Sequence, residues 1–355
     1  MRIGLTRFLG TVLGLGLELL AAAQVSSVDT GKEILFYPAS AQLVENGTLC
    51  EAKISGMVYE LESRRITLSV LRQTLGLGGL HMTPAQQQTI ATRGRLFMVD
   101  HESREKVIIR LGHELFKLGP TGGDGLFSGT IRWRVPAEGI PASRVVEFHA
   151  VLPEKDGRHF SGRLFFTKPG GLVVVSDVDD TIKETGVGSR KALLRNTFLE
   201  PFRPVPGMAA LYRRLEARGA VFHYVSASPW QLFTPLNEFL GTKGFPAGVF
   251  HLKDFRFKDE TFFSLFQKPD KYKMPLIEGL IQQAPDVRFV LIGDSGEKDP
   301  EVYSALARKY PDRIWKIFIR RTPGAANSLA RHDKLSQGLR PGTLVFFDEP
   351  GELSF

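Results

Sequence analysis

Leu172-Val173-Val174-Val175-Ser176-Asp177-Val178-Asp179-Asp180-Thr181 is the stretch from which the second half of this chain can be read. Four aliphatic residues in succession form a strand covered on both faces, as in the parallel sheet of an α/β domain. Ligands bind such sheets beyond the carboxyl ends of the strands, so Asp177 and Asp179 are expected to face a binding crevice. Residues i and i+2 of an extended chain point to one side. Two carboxylates brought together in this way resist ionising together unless a cation lies between them. A hard divalent ion, Mg2+ before others, answers that demand through oxygen ligands.

Further along, the chain repeats the pattern. Val221-Phe222-His223-Tyr224-Val225 is a second apolar strand, running out at Ser226-Ala227-Ser228 with Pro229 opening a helix. Ser226 there can donate to a phosphate oxygen. Val287-Arg288-Phe289-Val290-Leu291-Ile292 is a third, ending at Gly293-Asp294-Ser295-Gly296-Glu297-Lys298-Asp299-Pro300. It returns Asp294 and Asp299 to a strand end, where Asp294 completes the acidic ligands of the cation. Lys273 lies just before the amphipathic Pro275–Ile281 stretch, from which an ammonium can meet a bound phosphoryl group. Together these residues form a set: nucleophile, second acid, hydroxyl, lysine and metal carboxylates.

The order and spacing resemble the haloacid dehalogenase superfamily of phosphohydrolases, with Asp-x-Asp-x-Thr first and Gly-Asp followed by a later Asp last. More narrowly, Ser176–Lys183, Tyr224–Trp230 and Leu291–Tyr303 look like the actin-patch-protein type phosphatidate phosphatases, relatives of the lipins. The resemblance runs from about Gly171 to Arg321, and four ordered motifs make it far more specific than any one of them. Tyr272 stands where that resemblance leads one to expect histidine.

The resemblance implies a role for each residue. Asp177 attacks phosphorus in line and forms an aspartyl-phosphate. Asp179 protonates the leaving alkoxide and then deprotonates the attacking water. Thr181, Ser226 and Lys273 hold the equatorial oxygens. The Mg2+ site draws on Asp177, Asp179 through its carbonyl, and Asp294, with Asp299 behind the ion or its waters. Asp180 and Glu184 are expected to be solvated or structural, and Asp299-Pro300 also suits a helix start.

The 355 residues, 43% of them apolar, suffice for two domains. Residues 1–23 suit a signal peptide: Arg2 and Arg7 precede Phe8–Leu17, and Ala21-Ala22-Ala23 offers a cleavage site before Gln24, although Glu18 interrupts the apolar run. A periplasmic or secreted location follows from that expectation, with a cytoplasmic, peripherally membrane-associated protein as the alternative. A lone Cys50 allows no intramolecular disulfide and leaves the compartment open. The net charge of +8 comes without a dense Lys/Arg tract, which favours diffuse attraction to anionic surfaces over nucleic-acid recognition. No zinc-finger spacing, dinucleotide fingerprint or P-loop is present.

Residues 29–168 carry short apolar alternations broken by turn residues: 33–37, 49–54, 95–99, 107–111, 129–133, 145–151 and 162–166. Their number suggests a β-rich, sandwich-like domain, with one helical insertion around 63–76 or 83–95. The turn cluster Lys168-Pro169-Gly170-Gly171 marks the boundary. Residues 171–355 are then expected to form a haloacid-dehalogenase-like α/β domain. Its open parallel sheet would have strands near Leu172, Val221, Val249, Arg288, Ile314 and Leu344. Little chain remains between Thr181 and Val221 for a cap, and an open site admits a substrate still embedded in a membrane. Phe198–Phe202 and Phe262–Phe266 mix bulky side chains with nearby basic residues, which suits either interfacial contact or burial beneath the β domain. The expected function is Mg2+-dependent hydrolysis of phosphatidate at a phospholipid surface. Phosphatases of soluble or protein-linked esters and a non-catalytic phospholipid-binding module are the alternatives.

Overall fold

The computed structural model describes residues 25–60, 69, 72–73, 75, 77–97, 99–135, 139–140, 144–254, 269–324 and 329–354. The expected signal peptide and the Phe262–Phe266 run lie outside the described residues. Contacts divide the chain into two units: residues 1–63 with 99–165, and residues 64–98 with 166–355. The insertion at 64–98, expected inside the 29–168 domain, thus groups with the unit formed by the second half.

The first unit holds nine strands: β1 (Lys32–Tyr37), β2 (Ala39–Val44), β3 (Leu49–Glu60), β4 (Asp100–His101), β5 (Ile108–Leu111), β6 (Glu114–Lys117), β7 (Leu126–Arg134), β8 (Val145–Ala150) and β9 (Ser161–Phe166). They join in one hydrogen-bonded sheet, β1-β3-β2-β9-β8-β5-β6, with β4 and β7 also on β3. The twelve-residue β3 is long enough to serve four partners. It pairs antiparallel with β7 from Leu49 to Met57 and with β1 from Ser55 to Glu60. Alternation buries Cys50, Ala52 and Ile54 on one side, as a half-buried strand requires. The strand expected at 95–99 is not one, because Arg95–Phe97 form a 3-10 turn that continues the preceding helix. β2, whose apolar residues are small at its start, and the four-residue β6 fall outside the stretches expected as strands.

In the second unit, helix α1 (Pro84–Gly94) starts with a capping box. Thr83 accepts from the Gln86 amide, Gln86 reaches back to the Thr83 amide, and proline occupies the first helical position. The remaining elements alternate: β10 (Leu172–Asp177), α2 (Arg190–Phe198), α3 (Met208–Ala217), β11 (Ala220–Pro229), α4 (Phe233–Lys243), β12 (Gly248–Lys253), α5 (Pro269–Gln283), β13 (Arg288–Asp294), α6 (Asp299–Lys309), β14 (Ile314–Arg320), α7 (Leu329–Ser336) and β15 (Leu344–Phe347). All five strand pairings are parallel, in the order β12-β11-β10-β13-β14-β15. The order in which strands are added therefore reverses between β10 and β13, the switch point where open α/β sheets form their crevice.

Every residue of β10 and β11 is buried, as expected for strands covered on both faces. On one face Val173, Val175 and Leu291 join Ile277, Val302 and Leu306 in a common core. Tyr212 from α3 stacks on Phe222 at 5.5 Å, and its hydroxyl lies 2.6 Å from Ser176 Oγ, so the buried phenol is paired. Between β10 and β11 the chain carries only α2 and α3 as regular elements, in keeping with a minimal cap. Phe198, Leu199 and Phe202 are buried, which removes them as a docking surface. They pack within this unit, with Phe198 edge-on to Phe97. Among the described residues, no helix is long and apolar enough to cross a membrane.

Candidate active site

β10 and β13 lie side by side in parallel register, with Ser176 opposite Ile292. Asp177 and Asp294, the last residues of the two strands, consequently emerge together at the switch point. Asp299 opens α6 five residues after Asp294. One carboxylate oxygen from each of Asp177, Asp294 and Asp299 lies within 4.8 Å of the others, and all three residues are buried. Lys273 projects into the same space from α5. Its helix begins at Pro269, so the lysine sits inside the helix, where the sequence places it just ahead. Lys273 Nζ donates to Asp177 Oδ1 at 2.8 Å, Asp299 Oδ1 at 2.6 Å and Glu297 Oε2 at 3.0 Å.

One ammonium thus faces three acidic groups, with Asp294 as a fourth in the cluster. Burial, held in check by Lys273 and reinforced by neighbouring carboxylates, raises the Asp177 carboxyl well above its usual range. Burial and the charges of Asp299 and Glu297 do the same to Asp294, and burial raises Glu297. Burial works against the Lys273 charge, yet Asp177, Asp299 and Glu297 keep its pKa well above the ordinary value. One oxygen of Asp294 accepts from the Gly296 amide at 2.6 Å, while the other, Oδ2, is buried without a partner. An orphaned carboxylate oxygen among excess negative charge fits a hard cation with oxygen ligands. The residues present therefore fit a divalent metal.

Asp179 is held differently, and it is not part of that carboxylate cluster. Its Oδ1 pairs with Lys183 Nζ at 2.8 Å and accepts from Thr185 Oγ1 at 2.8 Å. Its Oδ2 accepts from Ser226 Oγ at 2.7 Å, with Ser228 Oγ at 3.5 Å. Burial opposes ionisation here, but the Lys183 charge and these donors bring its pKa below the usual value. Two aspartates two residues apart thus sit in different electrostatic settings, Asp177 raised by burial and Asp179 lowered by its cation and donors. Thr181 Oγ1 donates to Asp177 Oδ2 at 2.8 Å and orients it.

Asp180 closes the loop that carries them. It takes the left-handed conformation at φ 57°, which aspartate tolerates better than most residues. Its carboxylate accepts from the amides of Thr185, Gly186 and Val187 at 2.7, 2.8 and 2.8 Å. The structure therefore brings together all seven expected site residues: Asp177, Asp179, Thr181, Ser226, Lys273, Asp294 and Asp299. It adds Lys183, Thr185, Ser228 and Glu297. Lys183 was legible as a lysine four residues after Asp179, but strand-end logic looks for charges at strand ends and passes over a loop cation.

A six-strand parallel sheet of this order, with paired aspartates at its switch point and a buried acidic cluster beside them, defines an open α/β domain with a candidate metal site. Residues 172–321 match the family described as "Phosphatidate phosphatase APP1, catalytic domain". The chain is 34% identical over 173 residues to "Phosphatidate phosphatase APP1" of Saccharomyces cerevisiae, a match covering 48% of this chain and 29% of that protein. It is 33% identical over 155 residues to an uncharacterized protein of Schizosaccharomyces pombe, covering 42% of this chain and 25% of that one. The chain thus spans less than a third of the length of these relatives. A class C acid phosphatase from Bacillus anthracis superposes over 46% of this chain and 77% of its own at 16% identity, with a TM-score of 0.29 too low to add to the topology.

Proposed function

We propose that this chain is a Mg2+-dependent phosphatidate phosphatase, releasing phosphate from phosphatidate to leave diacylglycerol. The observation that carries this reading is the buried cluster of Asp177, Asp294 and Asp299, with an orphaned Asp294 oxygen, at the strand end whose loop also holds Asp179. The family of residues 172–321 supports the lipid substrate. Asp177 Oδ attacks phosphorus as the bond to the glycerol oxygen breaks. The negative phosphoryl group raises the pKa of Asp179 as it arrives, and the substrate monoanion brings the proton that Asp179 passes to the leaving alkoxide. Asp179 then takes a proton from water as the water oxygen attacks phosphorus, and the bond to Asp177 breaks. Lys273, Thr181 and Ser226 would turn their donors from the carboxylates to the phosphoryl oxygens. A divalent ion bound by Asp177, Asp294 and Asp299 supplies charge neutralisation at the transferring group.

The test compares phosphatidate in mixed micelles with soluble phosphomonoesters, with Mg2+ or excess chelator. The expected result is a preference for phosphatidate, activity lost in chelator and restored by Mg2+, and none in Asp177→Asn. A preference for soluble esters would move the assignment to a soluble or protein-linked substrate. Phosphate binding without turnover would leave a binding module. Full activity in chelator would overturn the metal.

A further inference from the structure

Helix α1 lies outside the matched catalytic segment, yet it touches the loop that carries Asp179 through a continuous set of contacts. The half-buried Arg93 near its end donates from Nη1 to the carbonyls of Thr197 at 2.6 Å and Glu200 at 2.8 Å. Thr197 lies in the last turn of α2, whose carbonyls lack helical partners, and Glu200 lies two residues past its end. Gln86, two turns earlier on the same helical face, donates to Glu200 Oε1 at 2.9 Å, and Arg195 donates to the same oxygen at 2.8 Å. The guanidinium carbon of Arg93 stands 3.7 Å from the centre of the Phe202 ring. Lys183 Nζ stands 5.0 Å from the same ring.

Phe202 is joined to Lys183 through backbone as well. The Glu184 amide donates to the Arg203 carbonyl and the Val205 amide to the Ile182 carbonyl, both at 2.9 Å. Residues 203–205 and 182–184 therefore run as a short antiparallel pair around the bridge between Lys183 and Pro204. Lys183 is one of the largest fully buried side chains in the protein. A buried ammonium is costly unless its partners are fixed, and here they are Asp179, Thr185 and the Phe202 face.

We propose that α1 is a working part of the phosphotransfer site: Arg93 fixes Phe202 and the end of α2, these fix Lys183, and Lys183 holds the Asp179 carboxylate in position for proton transfer. Arg93, Phe202 and Lys183 are positioning residues, since none of them touches the reacting atoms. The proposal rests on the acid-base assignment of Asp179. It adds that the catalytic domain is completed by a segment supplied from before β4 in the chain. Burial lowers the Arg93 pKa only to about 10, so its contacts persist across the working range of pH.

Protonation of the leaving group matters greatly for an alkoxide and little for a nitrophenolate, which departs unaided. kcat/KM covers the steps up to departure of the leaving group, so it isolates the acid role from later activation of water. In the full chain, Arg93→Ala, Phe202→Leu and Lys183→Met are expected to lower kcat/KM on an alkyl phosphomonoester by about tenfold or more while changing p-nitrophenyl phosphate by less than about twofold. Asp179→Asn serves as the reference and is expected to show the same selectivity, more strongly. Should Lys183→Met fail to fold, Arg93→Lys carries the same comparison, keeping a cation but not the planar fork. A second reading does not depend on turnover: amide exchange at residues 182–187 is expected to rise by about tenfold in Arg93→Ala. Unchanged exchange there overturns the clamp. Equal loss on both esters in the clamp variants also overturns it, by showing a packing role alone. Equal loss in Asp179→Asn instead overturns the acid assignment, which the exchange measurement leaves distinguishable from failure of the clamp.

Discussion

Gly293 leaves the room that Asp299 occupies. A Cβ built on this residue would lie 2.3 Å from Asp299 Oδ2 and 2.7 Å from Asp299 Cβ, closer than atoms approach. The glycine that precedes Asp294 is therefore a spatial requirement of the acidic cluster, since it lets the start of α6 press against the end of β13. Gly293→Ala is expected to displace Asp299 and loosen its 2.6 Å contact with Lys273. Misplacement by about 1 Å costs roughly 100-fold in rate, and overpacking costs about 1–3 kcal/mol of stability. Steady-state kinetics and a melting curve on the one variant check both, and an alanine variant with native kcat would show that Asp299 is dispensable. At this scale the sequence was informative wherever a residue ends a strand. Asp177 and Asp294 are such residues, while Ser226 lies three residues before the end of β11, which runs on to Pro229 instead of stopping where the sequence suggested. It was silent on Lys183 and Glu297, whose roles arise because a loop folds back and because Lys273 draws several acids to one point.

Among the elements, β11 and β12 carry a pair of histidines that the chemistry does not use. His223 Nδ1 and His251 Nε2 lie 2.9 Å apart with their rings stacked at 5.2 Å. Burial depresses both, and His251 falls to about 4 from 6.5. Above pH 6.5 both folded and unfolded states hold a neutral His251, so it contributes no pH dependence. As pH falls from 6.5 toward 4 the unfolded state gains a proton that the folded state refuses, and stability declines by roughly 3 kcal/mol from this residue. The site carboxylates Asp177, Asp294 and Glu297, whose pKa values are raised, act in the opposite sense, so the contribution of the pair is read by difference. His251→Gln is expected to lose stability less steeply than the native chain between pH 6.5 and 4. Parallel curves from chemical denaturation at each pH would show that the histidine takes up its proton without unfolding. The strands of this sheet were legible because burial on both faces demands unbroken apolar runs. The first unit was harder to read, since β2 and β6 alternate weakly and Arg95–Phe97 offers apolar residues to a helical turn.

At the scale of the molecule, chain order and spatial grouping part company. The turn at Lys168–Gly171 separates the antiparallel β9 from the parallel β10, while contacts divide the chain just before it, between residues 165 and 166. Nothing local in residues 77–97 could show that a helix preceding that break groups with the domain following it, since such membership depends on contacts more than 100 residues away. Arg93 to Thr197 and Glu200, Gln86 to Glu200, and Phe97 to Phe198 are those contacts. They set a directional expectation for the whole chain. Replacing residues 77–97 with a short Gly/Ser linker exposes Phe198, Leu199 and Phe202, buried side chains each worth about 1.5–3 kcal/mol. Because a loss of 1 kcal/mol shifts a domain of this size by about 2–4 °C, the unit containing residues 166–355 is expected to melt roughly 10 °C lower. Meanwhile the strands β1 to β8 retain their protection. Limited proteolysis during a thermal ramp separates the two, with early cleavage expected around residues 198–205. Early cleavage within β5 or β7 would instead assign the segment to the sheet of the first unit.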